Sequence, residues 1–534
     1  MFRTTHVNRE LRTWERWTFG IAAGLVAAAA GLAAAELASA ASNTLQSPVL
    51  DVGDRVVDSV PNSIKTLAID WFGTKDKVAL LTGIGGVVAL YAAALGVLAL
   101  TRLWRLAIAG ATAVGVIGAY ASQSSRRAAP WWAVTPSVVG GLVAALTLLA
   151  LRRALLGRGS LAWRAGVERG TDEPDGDVST AIDRRHFLYA TGATAVGALA
   201  IGTSGHALAT RSDVADQRRS LRLPRPRRAL EPVVAGAAAG VTGVSPFVTP
   251  NDDFYRIDTA LTVPRVSIDS WELSVTGLVS RPLTLSYADL LSREIVEADI
   301  TLTCVSNEVG GKLIGNARWL GVRLDDLLDE AGVDAAADQI VGRSVDGYTC
   351  GFPVAALDGR NALIAIGMNG EPLPLEHGYP ARLIVPGLYG YVSATKWLTE
   401  IELTTFDEFD QYWVRRGWVD DAPIKIQSRI DTPKGLTKLA AGTVAVGGVA
   451  WAQTRGIDRV EIQIDDGDWQ ATQLATEQSV DTWRQWSAAW DAAPGRHTIR
   501  VRATETGGAI QTDERSEPFP SGATGQHQIV VIVE

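Results

Sequence analysis

Thr301-Leu-Thr-Cys304-Val-Ser-Asn307-Glu-Val-Gly310-Gly311-Lys312-Leu-Ile-Gly-Asn316-Ala-Arg-Trp319 holds one of only two cysteines in the chain. The apolar, β-branched run from Ile300 to Val305 leads into a turn rich in Asn and Gly. This pattern predicts that Cys304 sits where a strand ends and a loop begins. Loops held by a rigid scaffold are where binding residues concentrate. A free cysteine is also a small hydrophobe that packs well in a core. The stretch alone leaves both readings open, and the rest of the chain has to separate them.

The chain has 534 residues and a net charge of −8. That length suggests about three or four domains, and the charge implies no general affinity for nucleic acid. Two cysteines exclude a disulfide framework, a zinc site with four thiolates and a CxxCH haem attachment. The hydrophobic content of 47% is unevenly spread. The first 210 residues are Ala-, Gly-, Leu- and Val-rich in uncharged runs, and the remainder mixes Asp, Glu, Arg and Trp throughout. A membrane half and a soluble half are expected.

In the membrane half, Phe19 to Ala41 is apolar and long enough to span a bilayer. Val78 to Leu100, Leu106 to Ala121 and Ala133 to Leu151 read as further spans, which favours an anchor over a cleaved leader at the first. A short amphipathic helix is expected around Ile64 to Phe72. Ile182-Asp183-Arg184-Arg185-His186-Phe187-Leu188 precedes an apolar run from Tyr189 to Ala209, read as a fifth span. Paired arginines ahead of Phe-Leu resemble a twin-arginine export signal. Lys and Arg flanks place the N-terminus, the 101–105 turn and the 152–186 segment in the cytoplasm, although Arg126 and Arg127 in the opposite loop count against this. The expectation is a multi-pass protein of the cytoplasmic membrane with its catalytic part on the extracytoplasmic side. The expected division is four spans over 1–155, a cytoplasmic loop with the fifth span over 156–210, and a linker over 211–244. The soluble domains then cover 245–415 and 416–534.

In the soluble half, Trp271-Glu-Leu-Ser-Val-Thr-Gly277 alternates as a half-buried strand does. Ser286 to Leu291 and Leu324 to Leu328 carry helix-start signals. Residues 245–415 therefore read as an α+β domain. From about 416 onward short strands separated by Asp465-Asp-Gly467 and Pro494-Gly495 turns suggest an immunoglobulin-like sandwich.

Several motifs occur in order: Phe254-Tyr-Arg256-Ile-Asp258, the Cys304 stretch, Gly367-Met-Asn-Gly-Glu-Pro-Leu-Pro374, His377-Gly-Tyr-Pro-Ala-Arg382, Val385-Pro-Gly387, Ser393-Ala-Thr-Lys396-Trp397 and Trp413-Val-Arg-Arg416. Together they resemble the sulfite oxidase family of molybdopterin-dependent oxidoreductases over roughly residues 245–534. The resemblance implies molybdenum held by one pterin and by the thiolate of Cys304. A thiolate suits such a metal. Asn307 matches the family's Cys-x-x-Asn. His377, Arg382, Ser393, Ala394, Thr395 and Lys396 match residues that contact the cofactor, the Ser393–Thr395 run partly through its backbone. Asn251, Tyr255, Arg256 and Asp258 fall on a further cofactor-contacting segment, with Asp258 where the family has His. Arg459-Val-Glu-Ile-Gln-Ile-Asp-Asp-Gly-Asp-Trp469 resembles the family's dimerisation domain, which implies a homodimer. Cys350 aligns with no ligand and reads as a buried core thiol.

Sulfite oxidases carry an arginine pair after Cys-x-x-Asn where this chain has Glu308 and Val309, and a tyrosine where it has Trp418. Fewer cations disfavour a dianion. The expected chemistry is oxygen-atom transfer on a small, less charged sulfur compound, with Cys304, Arg256, Trp418 and Glu308 at the pocket. A sulfoxide or other oxo-compound reductase of the same fold is the nearest alternative, and a cofactor-free scaffold the more distant one. Only His206 among the six histidines lies in an expected span, so no haem is expected and a separate electron-transfer partner is implied.

Overall fold

The computed structural model describes residues 11–42, 45–60, 71, 76–124, 130–156, 184–209, 214–227, 229–234 and 236–534. The chain forms two compact units, Met1–Asp213 and Val214–Glu534.

In the first unit, four helices among the described residues are long and apolar enough to cross a membrane: Thr13–Ser39, Lys77–Ala99, Trp104–Gln123 and Trp131–Leu156. Glycine lets their backbones approach closely, as membrane helices require. A Cβ on Gly24 would lie 1.9 Å from the Ala92 carbonyl oxygen, and one on Gly31 2.7 Å from that of Gly140. Leu90 and Val116 point outward, 75% and 68% exposed, which suits contact with lipid. The expected fifth span is a correction. Arg184–Ala209 is helical, but it is not among the apolar spans. Its sequence is diluted by Arg184, Arg185, His186, Thr191, Thr194, Thr203 and Ser204. It runs parallel to Thr13–Ser39. Arg184 ion-pairs with Glu15, Phe187 meets Phe19 edge-on at 5.2 Å, and a Cβ on Gly202 would lie 3.7 Å from that of Ala33. The amphipathic helix expected near Ile64 lies almost wholly outside the described residues, as do Ile182 and Asp183; Pro48–Ser59 is helical instead.

The second unit begins with the α+β domain. One sheet runs Leu283–Ser286, Glu272–Gly277, Leu398–Thr404, Gln339–Ser344 and Thr349–Pro353. The other runs Ile295–Thr303, Ile314–Arg323, Leu363–Met368 and Glu371–Pro372, with Arg382–Ile384 also paired to Leu363–Met368. Local chemistry sets the short helices between them. Ser286 caps Tyr287–Leu291 by accepting from the Asp289 amide, and Gly332 at φ +67° stops Leu324–Ala331. A core of Leu273, Ile340, Phe352, Ile364 and Leu383 fills the domain.

Beyond it, two sheets share the core of Val446, Val460, Trp486, Val501 and Val531. One comprises Gln427–Thr432, Gly442–Trp451, Arg484–Ala492 and Gln473–Leu474. The other comprises Lys438–Leu439, His527–Val533, Gly495–Glu505, Ile457–Ile464 and Gln470–Ala471. Between the expected boundary at 416 and the first of these strands the chain is still bonded to the α+β domain, with Ile424 N–H donating to the Gly387 carbonyl at 2.9 Å.

The expected linker is different in kind. From Val214 on it is laid against the second unit, because it carries apolar side chains and donors that find partners there. Leu221 and Leu223 pack on the core. Arg218 donates to the Leu373 carbonyl at 2.8 Å, and the Val234 and Ala239 amides donate to Gln478 and Gln485 at 2.8 and 2.7 Å.

Candidate active site

Strands Ile295–Thr303 and Ile314–Arg323 pair antiparallel from Ile295↔Val322 to Thr303↔Ile314, so Cys304 is the first residue of the loop that joins them. That loop closes on itself. Cys304 N–H donates to the Leu313 carbonyl at 2.9 Å, and Asn307 N–H to the Cys304 carbonyl at 3.0 Å. The Leu313 amide donates to Asn307 Oδ1 at 2.8 Å. Asn307 therefore shapes the loop, and its side chain is not on the cavity lining.

Cys304, 9% exposed, opens into a cavity of about 130 Å³. Tyr255, Asp258, Arg382, Lys396 and Trp418 line the same cavity, together with Ala394. Tyr348, Tyr391 and Trp413 complete an aromatic wall that sequence reasoning missed. Trp413 opens a motif quoted above, whereas Tyr348 and Tyr391 lie outside every quoted motif. Burial pushes the Cys304 thiol pKa up, while bonds to Ser306 and the Lys396 charge pull it down.

Three cations gather on the cofactor side. Lys396 Nζ and Arg256 Nε both reach Asp258 Oδ2, at 3.1 and 2.8 Å. Arg382 lies over the Trp319 ring at 5.2 Å and donates to the His377 carbonyl at 3.0 Å. Its Nε is buried with no partner, and no carboxylate pairs with it among the described residues. Burial lowers the Arg382 pKa to about 10. Burial lowers that of Lys396 to about 8, against the pull of Asp258. Asp258 is the carboxylate that pairs with Lys396 and Arg256, and Asp346 is a second carboxylate on the cavity lining.

His377 lies behind this wall. Burial first, then Arg382 and Lys396, lowers its pKa to about 4, so it is neutral near pH 7. Its Nε2 lies 3.1 Å from the Asn251 carbonyl, which can only accept, so Nε2 carries the proton and Nδ1 is left as an acceptor. Asn251 is fixed in turn by Asn369 Nδ2 at 2.8 Å.

Four other expected residues lie elsewhere. Ser393 Oγ donates to the Leu388 and Tyr389 carbonyls at 3.1 and 3.0 Å, so it faces the interior. Thr395 Oγ1 is buried and bonds Cys350 Sγ at 2.9 Å. Cys350 is fully buried, and burial raises its pKa to about 11. Glu308 is exposed and absent from the cavity lining, because the loop turns its side chain to solvent. Arg256 is likewise off the lining, held at its edge by Asp258.

This donor set fits a molybdenum-pterin group with a terminal phosphate. An unpaired buried guanidinium suits the phosphate, and a thiol at the cavity suits the metal.

A family model described as the oxidoreductase molybdopterin binding domain matches residues 260–413. An uncharacterized oxidoreductase of Bacillus subtilis is 35% identical over 148 residues, 28% of this chain and 72% of that protein. Human mitochondrial sulfite oxidase is 29% identical over 317 residues, 50% of this chain and 58% of that protein. The chain spans 50% to 58% of the length of the animal mitochondrial sulfite oxidases it matches. A crystal structure of a sulfane dehydrogenase from Paracoccus pantotrophus aligns at TM-score 0.48 and 21% identity, over 59% of this chain and 94% of that one. With its cysteine, its cations and its relatives taken together, the chain belongs to the sulfite oxidase family of molybdopterin-binding oxidoreductases.

Proposed function

We propose that this protein is a membrane-anchored molybdenum–molybdopterin oxidoreductase that transfers an oxygen atom to or from a small, uncharged sulfur compound. The cofactor, one pterin with its metal, supplies the two-electron oxygen-atom chemistry when bound. Cys304 ligates the metal; Arg382 and Lys396 neutralise the phosphate; neutral His377 accepts a hydrogen bond through Nδ1. Tyr255, Asp258, Asn251 and the Ser393–Thr395 backbone complete the cradle.

The observation that carries the substrate class is the aromatic wall. Trp418 packs on Tyr391 at 5.7 Å, on Trp413 at 6.3 Å and on Phe519 at 5.3 Å. The cavity lining carries Lys396 and Arg382 against Asp258 and Asp346, so it offers no net positive charge, and Arg256 lies off it, tied to Asp258. A dianion such as sulfite loses its hydration here without meeting an excess of cations, the more so with Arg382 and Lys396 committed to the cofactor phosphate. A sulfoxide would place its apolar substituents on the rings and its oxygen toward the metal, and a thioether its substituents on the same rings and its sulfur toward the metal. The same wall favours a second reading, reduction of sulfoxides, over oxidation of sulfite. The test is purified, metal-loaded protein assayed with a low-potential dye and sulfoxides, and with an oxidising dye and sulfite. Saturable sulfite oxidation at micromolar concentration would overturn this substrate class. Absence of molybdenum after export-competent expression would overturn the cofactor.

The catalytic unit is placed on the extracytoplasmic side. Support comes from the twin-arginine-like Arg184-Arg185-His186-Phe187-Leu188, the kind of signal that marks a domain for export. Four spans from a cytoplasmic N-terminus would leave the unit inside, so alkaline phosphatase fused after residue 220 decides the side. Electrons pass to or from a separate partner, and the sandwich, taken as immunoglobulin-like, is the dimerisation module; light scattering of detergent-solubilised protein tests the homodimer.

A further inference from the structure

The sandwich holds the chain on both sides of Cys304. Upstream, Thr301 N–H donates to the Asp481 carbonyl at 3.0 Å. Trp483 N–H donates to Thr301 Oγ1 at 2.8 Å, and Gln453 Nε2 to the Thr301 carbonyl and Thr303 Oγ1 at 3.1 and 3.2 Å. Downstream, Arg429 Nη1 donates to the Gly311 carbonyl at 2.8 Å. The His527 ring covers Gly310 so closely that a Cβ there would lie 2.4 Å from it. Both residues are themselves anchored. Arg429 holds Asp431 Oδ1 at 2.7 Å and Ser245 Oγ at 2.9 Å. His527 Nδ1 accepts from the Ile430 amide at 3.0 Å.

We propose that the sandwich positions the metal ligand, with His527 and Arg429 as positioning residues that fix the Cys304 loop. The proposal rests on the reading of Cys304 as a ligand. A cavity of about 380 Å³ lies beside this loop, lined by Gly310, Lys312, Arg429 and His527. The loop therefore has few other contacts on that side, and Gly310-Gly311 gives it little stiffness of its own. Residues that orient a ligand from outside the coordination shell set its geometry toward the metal. Without them the thiolate samples directions the metal cannot use.

The experiment uses the full chain with His527→Phe, which keeps a ring over Gly310 but removes the acceptor, and His527→Asn, which keeps the acceptor but removes the ring. His497→Ala, on a half-buried histidine of the same sandwich that bonds Asp465 and Ala493 and not the Cys304 loop, is the control. Two readouts are taken. In cofactor-free protein, the labelling rate of Cys304 by a maleimide is expected to rise in both His527 variants and not in the control. In loaded protein, the Mo(V) electron paramagnetic resonance spectrum is expected to shift, and kcat to fall about 10- to 100-fold at unchanged KM. Wild-type labelling rates and spectra in both variants would overturn the proposal. If His527→Phe does not fold, Arg429→Lys carries the same readouts. Wild-type protein without molybdenum would overturn the ligand reading instead, while the maleimide rates still decide whether the sandwich holds the loop.

Discussion

The two walls of the Cys304 cavity are built on different principles. The cofactor wall is charged and held by backbone. Arg382 and His377 are each 4% exposed, and each bonds a main-chain carbonyl. The substrate wall is aromatic and held mainly by ring packing, with Trp418 between Tyr391, Trp413 and Phe519. A phosphate needs charges at fixed points, and a displaced cation is costly when buried. A ring wall needs only shape, and its members exchange at modest cost. In keeping with this, Cys304, Arg382 and Lys396 keep the resemblance on the first wall, where Asp258 is the departure, and Trp418 departs from it on the second.

Cutting into the cofactor wall gives the largest effects. Cys304→Ser is expected to abolish activity while leaving the thermal midpoint of cofactor-free protein near wild type; full activity in that variant removes the ligand assignment. Arg382→Met is expected to weaken cofactor retention by about 2–5 kcal/mol, read as molybdenum and released pterin per chain. Without cofactor the same variant should be no less stable, since it replaces a buried cation that lacks a carboxylate partner. A destabilised cofactor-free variant would place Arg382 in the fold and not in the site.

The substrate wall should respond more gently and in a different quantity. Trp418→Tyr is expected to shift KM for an uncharged substrate by about three- to tenfold, the scale of one aromatic contact, with molybdenum content unchanged. Loss of molybdenum in this variant would erase the distinction between the walls.

The effect confined to acid concerns pH. Burial lowers the His527 pKa from 6.5 to about 4. The folded form is thus neutral where the unfolded form is already protonated. Stability is expected to be full above pH 6.5 and to fall as pH drops toward 4, by of order 3 kcal/mol from this group. His527→Asn removes the titrating group, so its thermal midpoint should change less over that range than that of wild type. Equal slopes would show that other groups dominate.

Much of this was legible along the chain. Motifs are local, so Cys304, Arg382 and Lys396 could be picked out one by one. Four apolar spans were readable because membrane helices depend on composition. Two failures had physical causes. Arg184–Ala209 reads as apolar by eye, yet its threonines, serine and arginines dilute the run. The Arg- and Pro-rich 211–244 stretch reads as a linker, yet Leu221 and Leu223 find a core to pack on. Glu308 was expected at the pocket because of its place after Asn307, and the turn of the loop sends it to solvent.

Residue order alone was enough to indicate the cofactor class, the four long apolar helices and the thiol at a strand end, since each depends on neighbours within one segment. Which side chains share the cavity depended on the fold. Asp258 neutralises Lys396 across 138 positions, and His527 rests on Gly310 from the far end of the chain. Such contacts follow from how sheets stack and where strands cross. Periodicity within one segment carries no information about them.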